Sequence, residues 1–317
     1  MRMVNAKPTG KQPQATLETV RLTGACGTGL NATMFRPPAA AGQRPAILYT
    51  HGFGQSGGAW RKSAMALASQ GHAGLTYDAR GHGDSQRNAP ELRYDAEQFV
   101  DDLIIVAGEQ AEPPVLVGAS MGGLFGLIAE SRWPGLFTAL VLVDITPHWE
   151  QAGLARVLEF ATAFQDGFAS LEQAADLVAA YLPHRPRRAA QALAPLMRQD
   201  ADGRWRWHWD MRLIDELIRD SARHQDAIAE AARDVRCPVL LISGGRSELV
   251  SEDNIRTFRS LVPQARHVQL PRAGHMLAGD DNDAFTDAVL DYLGTLSRAR
   301  HARFSNTDFD PASGARS

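Results

Sequence analysis

The stretch Val115–Gly123 constrains the fold of this chain more than any other segment. A short apolar run typical of a β-strand ends in a G-x-S-x-G pentapeptide at residues 118–122, and a helical pattern of apolar residues follows at once. This is the strand–turn–helix context in which G-x-S-x-G forms a nucleophile elbow. Glycines flank the serine because so tight a turn strains its backbone and crowds its neighbours. The turn is expected to project the Ser120 hydroxyl from the sheet, beside free N–H groups at a helix start.

Strands and helices alternate on both sides of this elbow. Two alternating segments near the N-terminus predict an antiparallel pair, and short apolar runs after them predict buried strands with helices between. The apolar runs lie at residues 46–50, 73–77, 115–117, 139–143, 239–243 and 266–270. This order predicts an α/β fold with a doubly wound, mostly parallel sheet.

The alternation stops between residues 147 and 234, where the pattern is only helical. Apolar residues there share helix faces, and Ser170 with Gln173 resembles a capping box at a helix start. We therefore predict a helical cap at 147–234, inserted into an α/β core made of residues 15–146 and 235–297. Residues 1–14 are predicted to form a flexible arm, and the polar residues 298–317 a disordered tail.

Composition excludes several classes of protein. The 317 residues carry a net charge of −3, which gives no sign of a nucleic-acid-binding surface. The polar N-terminus lacks the apolar segment of a secretory signal, and no apolar run reaches the ~18 residues of a membrane helix. Cys26 and Cys237 are far apart, and no histidine spacing suggests a metal site. We expect a soluble, cytoplasmic protein without nucleic-acid or membrane partners, metal or cofactor.

A second glycine motif supports a different hypothesis. Residues 52–57 read G-x-G-x-x-G, follow a predicted strand and precede a predicted helix, and Asp78 ends the next strand. That is the context of a dinucleotide-binding fingerprint, which would make the chain an NAD-dependent oxidoreductase. Two strands precede this motif, however, whereas the fingerprint usually follows the first strand of its fold. The glycine-rich turn after Asp78 is also not explained by this hypothesis.

Four motifs together resemble the α/β-hydrolase superfamily. Besides the elbow, the chain has His51-Gly-Phe-Gly, then Asp78-x-Arg-Gly-x-Gly-x-Ser, then a late Ala-Gly-His275, in the order found in that superfamily. The resemblance extends over about residues 17–296. It implies the α/β-hydrolase fold and a triad in the chain order serine, acid, histidine.

The resemblance also implies roles for individual residues. Ser120 is expected to be the nucleophile, His275 the general base, and Glu248 the acid that orients the imidazole. Asp144, at the end of the preceding strand, is the alternative acid, because some relatives take theirs from that position. Backbone N–H groups of Phe53 and Met121 are expected to form the oxyanion hole.

Several reactions fit such a triad. Epoxide hydrolases and haloalkane dehalogenases have an aspartate where Ser120 stands, so their chemistry is disfavoured. A carboxylic-ester hydrolase is the broadest interpretation of these motifs. C–C bond hydrolases and cofactor-free haloperoxidases, which share Ser-Met-Gly-Gly, are alternatives, although many C–C hydrolases have Trp where Met276 stands. A non-catalytic small-molecule receptor that keeps the triad is an alternative of another kind.

The predicted cap is rich in tryptophan. Trp205, Trp207 and Trp209 alternate with polar residues, so an extended segment places all three indoles on one face. Together with Trp149 they are candidates to line an apolar acyl or aryl pocket, although most aromatic residues of an insert fill its own small core. The expected partner is a small, apolar ester or acyl substrate.

Overall fold

An eight-stranded sheet forms the centre of the molecule. The computed structural model describes residues 14–39, 44–219, 221–277 and 282–305. The strand order across the sheet is β1-β2-β4-β3-β5-β6-β9-β10, with β1, β2 and β4 paired antiparallel and all other neighbours parallel. The strands are β1 (Thr16–Thr23), β2 (Gly29–Arg36), β3 (Ile47–Thr50), β4 (Gly74–Tyr77), β5 (Val115–Ala119), β6 (Ala139–Val143), β9 (Val239–Gly244) and β10 (Arg266–Leu270). The predicted fold class is confirmed.

Helices cover both faces of this sheet. One apolar layer includes Leu48, Leu116, Leu140 and Leu241, and the other includes Ile47, Val117, Val141 and Ile242, as expected when alternate residues of a strand face opposite sides. The helices are α1 (Arg61–Ser69), α2 (Ala96–Gly108), α3 (Met121–Arg132), α4 (Gln151–Thr162), α5 (Leu171–Tyr181), α6 (Gln225–Asp234), α7 (Glu252–Leu261) and α8 (Asn282–Ser305).

The central strands are buried on both faces. Every residue of β3, β4, β6 and β9 is buried, which is why these segments read as continuous apolar runs. The edge strands β1 and β10 are mostly exposed and alternate or carry polar residues. Strand β5 lies between β3 and β6, so the serine turn that follows it is at the middle of the sheet.

The insert between β6 and β9 is less uniform than the sequence pattern predicts. Besides α4 and α5 it contains a two-stranded antiparallel sheet, β7 (Met197–Gln199) and β8 (Trp205–Trp207), and a π-helical turn at Ile214–Ile218. Helix α6, predicted to belong to the cap, packs against core helix α3. The prediction of an only helical segment is therefore wrong. Strand β8 lies where the alternation of Trp205, Trp207 and Trp209 indicates an extended chain, and the three residues of β7 are too few to show a pattern of their own.

The two chain ends are only partly described. Helix α8 continues to Ser305, so the first residues of the predicted tail 298–317 are helical rather than irregular. The remainder of that segment, residues 306–317, and all but the last residue of the predicted arm 1–14 lie outside the described residues.

A buried ion pair ties the loop after β4 to helix α2. Arg80 donates from Nε and Nη2 to the two carboxylate oxygens of Asp102, both at 2.7 Å, and both side chains are almost fully buried. Asp102 also accepts the Ala25 N–H at 2.8 Å. Burial raises the pKa of Asp102, and the Arg80 guanidinium opposes that rise. Such a pair fixes geometry, because removing either partner leaves an uncompensated buried charge.

Candidate active site

Ser120 lies on the strained turn that its motif predicts. Its backbone has φ 47° and ψ −120°, a region that non-glycine residues rarely adopt. The glycines around it permit this turn by letting chain segments approach closely. A Cβ added to Gly118 would lie 2.7 Å from the Gly123 Cα, and a Cβ added to Gly122 would lie 2.7 Å from the Thr50 Cβ. The sequence thus builds the turn from close contacts that any larger residue would disrupt.

Asp144 and His275 form a hydrogen-bonded pair. The His275 Nδ1 lies 2.8 Å from the Asp144 Oδ2, and the Asp144 side chain is fully buried while that of His275 is 23% exposed. Asp144 follows β6 and has a positive φ of 51°. Its carboxylate also accepts the Gly244 N–H at 2.8 Å and the Ser247 hydroxyl at 2.5 Å. With three donors on one carboxylate, the imidazole has a fixed orientation and its Nε2 is left for other partners.

The structure does not bring Glu248 to His275. The Glu248 carboxylate is 53% exposed and pairs with Arg156 of the insert. The Glu248 backbone also packs closely against Gly153 of the insert, because a Cβ added to Gly153 would lie 2.3 Å from the Glu248 carbonyl oxygen. The expectation that Glu248 orients the imidazole is therefore corrected, and the alternative residue Asp144 occupies that position. The loop after β9 contributes the Ser247 hydroxyl instead, a contact that the sequence pattern did not indicate.

One cavity of about 620 Å³ joins the predicted residues. Ser120, Met121 and His275 line it together with Gly52 and Phe53, which follow β3. Gly52 approaches the serine so closely that an added Cβ would lie 3.2 Å from the Ser120 Cβ. The ends of β3, β5 and β6 thus converge on one site, as expected at the carboxyl edge of a parallel sheet.

The predicted oxyanion-hole residues lie at the start of a helix and at the end of a strand. Met121 is the first residue of α3, where an N–H has no acceptor four residues back within the helix. Phe53 follows Gly52, and its ring lies 5.8 Å from that of His82 and 5.8 Å from that of Trp209, centroid to centroid. These ring contacts fix the side chain of Phe53 beside the serine turn.

Three buried histidines support the loops next to the serine. His51 Nε2 accepts the Ala79 N–H at 2.9 Å, so its Nδ1 carries the proton and donates to the Gly52 carbonyl. His208 Nδ1 accepts the Gly83 N–H at 2.8 Å. His82 lies between them, with ring centroids 5.0 Å from His51 and 6.5 Å from His208. Through these contacts the three histidines hold loops of the site in place.

Burial lowers the pKa of all three histidines. Loss of solvation is the main cause, and the neighbouring rings lower the pKa values further at His82 and His208. The pKa of His208 falls from 6.5 to about 4. The unfolded chain therefore binds protons more readily than the folded chain. The contribution of His208 to the free energy of unfolding is full above pH 6.5 and is lost as the pH falls towards 4.

Replacing His208 by asparagine is expected to make the protein less sensitive to acid. The asparagine Oδ1 can accept the Gly83 N–H without the cost of a buried imidazole that must stay neutral. The loss of unfolding free energy between pH 6.5 and 4 should shrink by on the order of 3 kcal/mol. Urea unfolding at a series of pH values measures this difference, with the exposed His184→Asn variant as control. An unchanged pH dependence in His208→Asn would contradict the assignment of the acid-sensitive group.

The tryptophans of the insert divide into two groups. Trp149, Trp207 and Trp209 line the cavity, and the rings of Trp207 and Trp209 stack at 4.9 Å with an interplanar angle of 9°. Trp205 does not line it, although its indole was predicted to share a face with the other two. Its backbone pairs with that of Phe168 in an antiparallel bridge, and its side chain packs on the hydrophobic core. Of the alternating series, only the last two members, Trp207 and Trp209, therefore line the cavity.

The second glycine motif has a structural function. Its last residue, Gly57, donates its N–H to Asp78 Oδ1 at 2.8 Å. The other oxygen of Asp78 accepts from Asn31 Nδ2 at 3.1 Å and from the Asp84 N–H at 3.0 Å. Asp78 is 6% exposed and its oxygens are engaged by the protein, so it offers nothing to a ribose. The motif and its aspartate hold two loops together, and the dinucleotide hypothesis is wrong.

Two kinds of feature are absent from the described part of the chain. Among those residues, no three His, Cys, Asp or Glu side chains are grouped so that they could hold a metal ion. In the same part of the chain, no helix has both the length and the apolar character needed to cross a membrane.

Comparison with known proteins agrees with the geometry of the elbow and the sheet. A family model described as the alpha/beta hydrolase fold matches residues 45–281. The chain belongs to the α/β-hydrolase family. The elbow, the Asp144–His275 pair and the insert of this hydrolase all lie within the matched range.

Two relatives and two solved structures illustrate the similarity. The sn-1-specific diacylglycerol lipase ABHD11 of Mus musculus is 30% identical over 268 residues, covering 78% of this chain and 81% of that protein. A 2-(acetamidomethylene)succinate hydrolase of Mesorhizobium japonicum is 29% identical, covering 80% and 89%. The solved structure of E-2-(acetamidomethylene)succinate hydrolase has a TM-score of 0.73 at 23% identity, covering 88% and 100%. That of an esterase of Mycobacterium tuberculosis has 0.70 at 23%, covering 90% and 93%. The family match and these relatives show that the chain is a hydrolase enzyme. The hypothesis of a non-catalytic receptor is therefore set aside.

Proposed function

We propose that this hydrolase cleaves an apolar carboxylic ester through an acyl-enzyme on Ser120, with His275 as general base and Asp144 as the acid that orients it. One observation carries the proposal. The strained Ser120 shares a cavity with His275, whose Nδ1 is held 2.8 Å from the fully buried Asp144 carboxylate. A hydrogen-bonded base oriented by a third group beside a serine is the arrangement that activates a hydroxyl.

The first half of the reaction forms the acyl-enzyme. The Ser120 oxygen attacks the ester carbonyl carbon while His275 Nε2 takes the hydroxyl proton. The resulting imidazolium keeps its Nδ1–H directed at Asp144, whose negative charge stabilises it. When the tetrahedral intermediate collapses, the bond from carbon to the alcohol oxygen breaks, and His275 returns the proton to that oxygen. The alcohol leaves, and the acyl group stays on Ser120.

The second half repeats these steps with water. His275 removes a proton from a water molecule, which attacks the acyl carbon, and the same proton then returns to the Ser120 oxygen as the acid is released. In both halves the carbonyl oxygen gains negative charge. We assign the stabilisation of this charge to the N–H groups of Met121 and Phe53, the first with the added effect of the α3 N-terminus.

The lining of the cavity and the relatives favour an ester as substrate. The cavity that contains Ser120 is also lined by Trp149, Trp207, Trp209 and apolar residues of α4 and α5, so that a hydrocarbon substituent would bury apolar surface there. A diacylglycerol lipase and an esterase are among the relatives. C–C bond hydrolysis and cofactor-free haloperoxidase chemistry on the same triad remain alternatives, since both use the same serine and histidine.

Labelling with a fluorophosphonate probe tests the proposal. The probe should modify one serine, Ser120, and should abolish turnover of p-nitrophenyl esters in proportion to labelling. Peptide mass spectrometry locates the label. Ser131 provides an internal comparison, because it lines the same cavity but lies within helix α3 and not on the strained turn. Labelling at Ser131 instead of Ser120 would reject Ser120 as the nucleophile. If Ser120 is labelled but the untreated protein turns over no p-nitrophenyl ester, the ester hypothesis is rejected, and a vinylogous diketone substrate would then test the C–C alternative.

A further inference from the structure

One face of helix α3 lines the cavity over the whole length of the helix. The lining residues recur every three or four positions, as one side of a helix does. They are Met121, Leu124, Phe125, Ile128, Ser131 and Arg132. Eleven steps of 1.5 Å separate the first from the last, so the cavity follows the helix for about 16 Å from the serine turn.

The segments from the π-helical turn to helix α6 add mostly apolar residues to the cavity lining, with Glu216, Ser221 and His224 as polar exceptions. The π-helical turn contributes Leu217 and Ile218, and helix α6 contributes Ala227, Ile228 and Ala231. Polar groups collect at the far end, where Arg132 binds both carboxylate oxygens of Glu97 at 2.5 and 2.7 Å. These two side chains are 40% and 63% exposed, so the apolar part of the channel ends close to solvent. We call this arm of the cavity the α3 channel.

The proposed chemistry decides which half of an ester enters the α3 channel. The alcohol oxygen must receive its proton from His275, so the alcohol lies on the side of His275 and Met276. There Arg185, which also lines the cavity, donates to the Met276 carbonyl at 2.9 Å, so that side of the cavity is polar. The carbonyl oxygen faces the start of α3, beside the Met121 N–H. The remaining substituent, the acyl chain, is then directed along α3.

We propose that the substrate is an ester of an unbranched, saturated acyl chain of about twelve carbons, which lies in the α3 channel with its end near the Arg132–Glu97 ion pair. An extended hydrocarbon advances about 1.25 Å per carbon, from the C–C bond length and angle, so that about 16 Å holds about twelve. The inference rests on the proposed ester hydrolysis for its direction, and on the lining of the channel for its length and apolar character.

Chain-length profiles test the proposal. With p-nitrophenol as the constant alcohol, kcat/KM should rise from acetate to dodecanoate by up to about fourfold per methylene group, and level off beyond. Branched and aryl esters of equal carbon number should be poorer substrates. A profile that peaks at acetate or butyrate, or a preference for branched or aryl esters, would overturn the proposal.

Tryptophan substitutions along α3 locate the chain. Ile128 is about 10 Å from Met121 along the helix, and Leu124 about 4.5 Å. An indole at either position should block the channel there. The rise of kcat/KM with acyl-chain length should therefore end at about eight carbons in Ile128→Trp and at about four carbons in Leu124→Trp. The matched control is Ile105→Trp, at a residue of α2 that is 37% exposed and does not line the cavity, and its profile should be that of the unmodified protein. Equal break points in all variants would contradict the assignment of the channel.

A binding measurement separates this inference from the proposed function. Dansyl-undecanoic acid should bind the Ser120→Ala protein, and Ile128→Trp in that background should weaken binding at least tenfold while Ile105→Trp does not. If the fatty acid binds in this way but no ester is cleaved, the ester hypothesis fails and the channel stands. If esters are cleaved and Ser120 is labelled, yet neither the profile nor the binding responds to Ile128→Trp, the channel is wrong.

Discussion

Replacement of Ser120 by alanine is expected to lower kcat on a p-nitrophenyl ester by roughly 10⁵–10⁶, the effect seen when a triad nucleophile is removed. Without the hydroxyl no acyl-enzyme can form, and only binding and oxyanion stabilisation of direct water attack remain. The fold should persist. Alanine keeps the Cβ of serine, so the backbone at φ 47° is no more strained than before, and the close contacts of Gly118 and Gly122 are unchanged.

The control for this variant is Ser131→Ala, at a serine that lines the same cavity near the other end of α3. Steady-state kinetics and thermal unfolding should be measured for both proteins. With p-nitrophenyl butyrate, whose acyl chain is too short to reach Ser131, Ser131→Ala should retain its turnover, and both variants should unfold within a few degrees of the unmodified protein. Substantial activity in Ser120→Ala, after a second purification to exclude a contaminating esterase, would show that another group is the nucleophile.

Replacement of Asp144 by asparagine is expected to lower kcat on the order of 10⁴-fold. The asparagine Oδ1 can still accept the Gly244 N–H, but its amide then directs N–H groups at Ser247 and His275. The imidazole would have to present an unprotonated Nδ1 to that amide, which places its proton on Nε2, where the base is needed. The imidazolium would also lose its counter-charge.

Glu248→Gln provides the contrast. Its carboxylate is exposed and pairs with Arg156, and exposed ion pairs contribute little to stability, so turnover should change less than about threefold. The measurement is kcat on one ester for both variants, with unfolding curves to verify the fold of Asp144→Asn. If Glu248→Gln were the damaging change and Asp144→Asn the mild one, the arrangement that the structure shows would not be the catalytic one.

The sequence identified two members of this site because each belongs to a local pattern. Ser120 is set by a turn whose glycines lie within a few residues, and His275 follows a strand in a motif of its own. The acid has no such pattern. Asp144 and Glu248 both follow a parallel strand, β6 and β9, and these strands are neighbours in the sheet. The choice between them depends on the positive φ of Asp144 and on the Arg156–Glu248 pair, which are tertiary features.

The insert shows a second limit of prediction from sequence. Alternation placed Trp205, Trp207 and Trp209 on one face of an extended segment, and this holds for the two that stack. Strand β8 ends at Trp207, however, and Trp205 lies where the chain pairs with Phe168, so that its surroundings differ from those of its neighbours. The residues that pack on such a short hairpin decide which of its sides faces a cavity. These residues, such as Phe168, are distant from the hairpin in the sequence, so its own pattern does not reveal them.

The position of the acid affects how the chain can fold. Ser120 and Asp144 follow adjacent parallel strands joined by the single helix α3, so one local β-α-β unit brings them together. The Asp144–His275 contact, by contrast, closes a loop of 131 positions that contains the entire insert. Contacts of such long sequence separation form late, because their closure entropy must be offset by structure already made. A nascent or partly refolded chain is therefore expected to hold its serine turn before the base arrives, which keeps the hydroxyl unreactive until the insert and the last strands have docked.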